Sequence, residues 1–122
     1  RAPVKRPDDP HWWQDPRNIE AAIPAIRDAL AAARPQQRAT FERNAAAYLA
    51  RLRRLDEGLR ACMDTVAPAQ RKLVTDHDAF GYFAARYGIK VVGAVIPSQT
   101  TSAQSSARDV AKLSDQIRRE GV

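Results

Sequence analysis

A single cysteine, Cys62, is present among 122 residues, so no internal disulfide can form. Cys62 falls in a helical pattern and reads as a small buried apolar residue. No apolar run approaches the ~20 residues that a membrane-crossing helix requires. The opening stretch, Arg1 to Asp9, is polar and proline-rich and has no resemblance to a signal peptide. No P-loop, dinucleotide fingerprint or nucleophile–base set occurs, so no enzyme activity is expected. There is also no dense basic block. The net charge of +6 comes mostly from arginine, and the arginines are spread over helical faces. Arg51, Arg53, Arg54 and Arg60 form the densest group. They read as a solvated helix face, and no nucleic-acid partner is expected.

What is present is one ordinary domain's worth of chain, 44% apolar. Residues 1–14 read as a loop. Asp15 is a good N-cap, and Pro16 suits the first helical position, where its missing N–H would be unpaired anyway. Ile19, Ile23, Ile26 and Leu30 then form a helical stripe to about Ala33, with Pro24 expected to bend the helix rather than end it. Past Arg34-Pro35 a second helix is predicted over 36–63, roughly 40 Å long at 1.5 Å per residue. Its seam is Phe41, Ala45, Tyr48, Leu52, Leu55, Leu59 and Cys62. A helix of that length is either a coiled-coil arm or a strut between two lobes.

After Pro68 the pattern changes. Arg71 to Thr75 is a short β-type run, and a helix follows from about Asp78 to a natural stop at Gly88. Lys90 to Ile96 is a more apolar strand. Residues 97–105 are a polar loop, and Val110, Leu113 and Ile117 mark a last helix that stops near Gly121. Strand, helix, strand, helix with short links is the α/β pattern of a parallel sheet. Two strands are few for such a sheet. The expectation is therefore a fragment of a longer protein, or a homo-oligomer in which paired chains extend each other's sheet.

The only histidines are His11 and His77. His11 lies in Asp9-Pro10-His11-Trp12-Trp13-Gln14-Asp15-Pro16, and His77 in Thr75-Asp76-His77-Asp78-Ala79-Phe80-Gly81-Tyr82-Phe83. Both fall in loops at element ends, which points to one shared metal site. Neutral imidazole is a good Zn²⁺ ligand at about 2.0–2.1 Å, and two of them supply half a tetrahedral shell. Open α/β sheets place ligands at the carboxyl ends of strands, where His77 is expected. Asp76 and Asp78 flank it and are candidates to orient its other ring nitrogen; Asp78 has helix capping as an equal alternative. Trp12 and Trp13 have a plain reading as core aromatics covering a helix end.

These two motifs, in this order and separated by a long helix, resemble the cluster A-I (zinc/manganese) substrate-binding proteins of ABC transporters. Lys72 to Phe83 with Tyr87-Gly88 resembles that family's third-ligand motif, and Pro97-Ser98 through Ser106 to Asp109 is similar to its next loop and helix start. The resemblance implies a two-lobed, periplasmic-binding-protein-like α/β fold. Residues 1–35 would end the N-terminal lobe, 36–68 would hold the long linker helix, and 69–122 would begin the C-terminal lobe. It implies His11 and His77 as metal ligands across the interlobe cleft. The family's earlier histidine and later carboxylate have no counterpart here. It also implies an ABC-transporter permease as partner, and a periplasmic or extracellular, membrane-anchored parent. A histidine where some relatives carry a carboxylate leans the cargo from Mn²⁺ toward Zn²⁺. A reading from another class is a metal-independent module that self-associates through the seam of the long helix.

Overall fold

The computed structural model describes residues 8–122; the start of the expected N-terminal loop, residues 1–7, lies outside them. A 3-10 turn at Trp12–Gln14 leads into α1, Pro16–Ala33. Asp15 caps it, its carboxylate accepting from the Arg17 N–H at 2.9 Å, with Pro16 in the first helical position. The helix continues through Pro24. Arg34 ends it, and Pro35–Gln37 forms a 3-10 turn before α2, Arg38–Asp64. The long helix thus starts two residues later than its periodicity indicates, because Pro35 opens a tighter turn that Gln37 N–H closes on Arg34 O.

The short link folds α2 back along α1. Ile23, Ile26 and Leu30 face Phe41, Ala45 and Tyr48 across a shallow cavity of about 320 Å³. Farther along, Pro16 and Ile19 meet Leu52, Leu55 and Leu59 beside Phe83. The seam is therefore engaged within the chain from Phe41 to Leu59. It is not uniformly buried: Leu52 is 6% exposed but Leu55 is 52% exposed. Cys62, expected in the core, is exposed, because α1 begins opposite Leu59 and, among the described residues, none covers the seam side of the last turn of α2.

After a 3-10 turn at Pro68–Gln70 come β1 (Lys72–His77), α3 (Gly81–Tyr87), β2 (Lys90–Ile96) and α4 (Ala107–Glu120). The strands pair in parallel, with Lys72 opposite Lys90 and His77 opposite Ile96. β1 runs two residues past its predicted end, so His77 is its last residue rather than a loop residue beyond it. α3 begins only at Gly81. Asp78 N–H is committed to Ser98 O at 3.0 Å in the loop after β2, which delays the helix. Phe80 takes the N-cap position without a side-chain cap, so Asp78 does not cap the helix.

Two glycines set this half. Gly88 ends α3 at φ 69°, a left-handed conformation that costs a β-carbon strain but suits glycine. Gly93 lies in β2 directly under α4. A β-carbon there would sit 2.7 Å from Leu113 Cδ1, so any other residue would force the Leu113 side chain to shift. Leu113, 6% exposed, is the anchor of α4 on the sheet. α4 starts in a capping box between Ser106 and Asp109. At its other end, Glu120 receives Lys72 and Lys90, tying the helix to the first residues of both strands. Among the described residues, no helix is long and apolar enough to cross a membrane.

Candidate metal centre

His11 sits just before the 3-10 turn, 8% exposed. Asp9, two residues back, bends its carboxylate over the turn. Its Oδ1 accepts the His11 backbone N–H at 3.0 Å and lies 2.9 Å from His11 Nδ1. A carboxylate can only accept, so Nδ1 carries a hydrogen, and in the neutral ring Nε2 is the nitrogen with the lone pair. Gln14 N–H returns to His11 O at 3.1 Å, which fixes the backbone on the other side.

His77 ends β1 and is held in the same way. Asp76 Oδ1 accepts the His77 N–H at 2.7 Å and faces its Nδ1 at 2.8 Å. The bond from His77, with its backbone N–H second, holds the Asp76 carboxyl below the usual carboxylate range. Again Nε2 is left as the available donor. Of the two flanking carboxylates, Asp76 takes the orienting position. Asp78 is exposed and its backbone N–H is engaged with Ser98.

The two imidazoles lie against each other, centroids 5.4 Å apart and planes at 66°. Two imidazoles bound tetrahedrally at about 2.0–2.1 Å would place their centroids roughly 5 Å apart. The spacing therefore suits one shared cation. Trp13 meets the His11 ring at 5.4 Å in an edge-on contact, and Trp12 packs edge-on to Trp13. Neither tryptophan is a core residue: they are 41% and 50% exposed, because the turn that carries them turns outward while His11 turns in. Among the described residues, no group of three or more His, Cys, Asp or Glu is arranged to hold a metal, so the pair stands as a two-ligand arrangement.

Asp9, which holds His11, is the residue of this candidate site that the sequence reading passed over. The signal was there: each histidine has an aspartate one or two positions before it, and an Asp side chain readily reaches a backbone N–H two residues on.

The sequence matches the family described as ZnuA, zinc-uptake complex component A, periplasmic, over residues 3–122. It is 36% identical over 115 residues to the zinc-binding lipoprotein AdcA of Streptococcus pneumoniae, covering 93% of this chain and 22% of that protein. The fold matches the periplasmic zinc-binding protein TroA of Treponema pallidum with a TM-score of 0.84 at 30% identity, covering 93% of this chain and 40% of TroA. It also matches the Zn(II)-bound ZnuA-like domain of Streptococcus pneumoniae AdcA, with a TM-score of 0.74 at 33% identity over 98% of this chain and 44% of that one. The chain thus spans about a fifth of the length of the curated AdcA relatives. With its family matched along nearly all of its length and its fold shared with solved zinc-binding relatives, the chain belongs to the ZnuA family of periplasmic zinc-uptake components.

Proposed function

We propose that His11 and His77 donate their Nε2 atoms to one Zn²⁺ ion, as half of the capture site of an extracytoplasmic binding protein. The protein hands its cargo to an ABC-transporter permease. The observation that carries this reading is the pair itself: two imidazoles 5.4 Å apart, each with Nδ1 occupied by a carboxylate. Orienting carboxylates fix the ring, set its tautomer and raise its basicity, which is how ligating histidines are prepared. The function is chelation, not catalysis.

Relatives named for zinc binding favour Zn²⁺ over Mn²⁺ as the cargo. Residues 1–35 then belong to the first lobe, 36–68 to the linker helix and 69–122 to the second lobe, with the metal in the cleft. The periplasmic description of the family and the lipoprotein among its relatives support a working protein that acts outside the cytoplasm, anchored to a membrane.

The test is a zinc titration of the intact protein against a competing chelator. His11→Ala and His77→Ala are each expected to weaken binding by at least about 100-fold, at or beyond the upper end of what losing an orienting partner costs. Unchanged affinity in either variant overturns the assignment.

A further inference from the structure

We propose that Arg86 is a positioning residue for the metal site, a buried cation that holds the His11 turn and the His77 unit at ligating distance. The proposal rests on the zinc reading above and adds a residue that does not touch the metal.

Arg86 projects from α3, the helix that follows His77, and its side chain is 7% exposed. It stands between two carboxylates from the other half of the chain. Its Nε donates to Asp56 Oδ1 at 3.0 Å and lies 3.6 Å from Asp15 Oδ1; its terminal nitrogen donates to Asp56 Oδ2. Tyr87 O–H adds a bond to Asp56 Oδ1 at 3.0 Å, and Arg60 Nε approaches Asp56 Oδ2 at 3.3 Å. Burial works against a charged guanidinium, but bonding and charge from Asp56, with a further contribution from Asp15, outweigh it and keep Arg86 ionised.

Asp15 makes this more than a stability device. It is 1% exposed, and it ends the turn that carries His11: its backbone N–H closes on Trp12 O, while its carboxylate caps α1. The physical path is short. The His11 turn ends on Asp15, Asp15 pairs with Arg86, and Arg86 belongs to the α3 unit that β1 delivers together with His77. Asp56 brings in the long helix, so three elements share one buried cation. Without that cation, the two carboxylates on either side of its place, Asp15 and Asp56, would have Arg60 and the Tyr87 hydroxyl, both on Asp56, to offset their charge. Relieving their repulsion would move the His11 turn away from α3. A small displacement of one ring opens the imidazole pair, because metal–nitrogen bonds tolerate little error in length.

The test compares the intact protein with Arg86→Met and with Asp15→Asn, which keeps a capping side chain but removes the charge that Arg86 meets. Leu113→Ala serves as a control that weakens the core under α4 without touching the junction. Two readouts are used: the metal-free NOE between the His11 and His77 ring protons, and zinc affinity by chelator competition. Arg86→Met is expected to lose the NOE and bind zinc about 10- to 100-fold more weakly, the range seen when an orienting partner is lost. Asp15→Asn should shift both readouts in the same direction by less, which keeps the question open to decision if Arg86→Met fails to fold. Leu113→Ala should lower thermal stability and leave both unchanged. If Arg86→Met and Asp15→Asn keep both the NOE and the affinity, or if Leu113→Ala moves the two readouts as much as they do, the proposal is wrong. Should the unaltered protein bind no zinc, the zinc reading fails by itself, while the NOE comparison still decides whether Arg86 positions the rings.

Discussion

Asp9, the carboxylate behind His11, has a side chain only 7% exposed, whereas Asp76, behind His77, has a side chain 74% exposed. The bonds are nearly identical in length, at 2.9 and 2.8 Å. Water competes freely for Asp76 and hardly at all for Asp9, so similar geometry carries different weight. His11 is in addition wedged between His77 and Trp13, and its backbone is closed by Gln14. The first proposed ligand is thus built in place by burial. The second is carried to its position by the end of a parallel strand and trimmed by an exposed carboxylate. Of the two proposed ligands, His77 is the one with more room to adjust.

The sharpest way to break this contrast is to remove each carboxylate in turn. Asp9→Ala leaves a buried imidazole nitrogen and a backbone N–H without their acceptor, and should weaken zinc binding by about 100-fold. Asp76→Ala lets water take over the same two bonds and should cost about 10-fold. Equal losses in the two titrations would show that exposure does not separate the arms.

A third prediction concerns the junction beneath the two arms. Burial pushes the Asp56 carboxyl up, but hydrogen bonds from Arg86 and Tyr87, with the charges of Arg86 and Arg60, outweigh it and hold it below its ordinary 3.8. A carboxyl lowered in the folded state contributes stability above its unfolded pKa and loses it as pH falls through the folded value. Denaturant melts should therefore show stability dropping as pH goes below about 4, and Asp56→Asn should flatten that acid limb. Burial, then the hydrogen bond to Asp56 and its charge, raise the Tyr87 hydroxyl against an opposing effect of Arg86. That raised group contributes fully below its ordinary 10, and its contribution declines as pH rises above it. An unchanged acid limb in Asp56→Asn would remove Asp56 from the account of the junction. The smallest effect is expected at Trp13, half-exposed and touching His11 only edge-on. Trp13→Ala should weaken zinc binding about two- to threefold, near the lower end of an aromatic pair's worth. A loss comparable to that of Asp9→Ala would mean that His11 is held by stacking rather than by its carboxylate.

Much of this was legible because it depends on neighbours in the chain. Asp15-Pro16 announces a helix start, Gly88 a helix stop, and the strand–helix–strand run a parallel pair. Histidines embedded in dense motifs pointed to one another across the long helix. The rest depends on contacts between distant residues, or on how a turn is aimed. The Arg86–Asp56 pair joins residues 30 apart in sequence, and neither position has an unusual setting by itself. Periodicity put Cys62 and Leu55 on the seam, but a seam is buried only where its neighbours cover it: α1 begins opposite Leu59, short of Cys62, and Leu55 stays half-exposed although Pro16 and Ile19 lie beside it. Asp9 and Asp76 look alike on paper; their difference in exposure comes entirely from what packs over each turn. For the same reason the tryptophans, apolar enough for any core, stand at the surface.

The most direct measurement is a long-range ¹H–¹⁵N spectrum of the histidine rings during zinc titration of the intact protein. Both rings should begin as Nδ1–H tautomers, and both Nε2 resonances should move together at the same zinc equivalent. If either ring is the Nε2–H tautomer, or if only one ring responds to zinc, His11 and His77 do not share a cation.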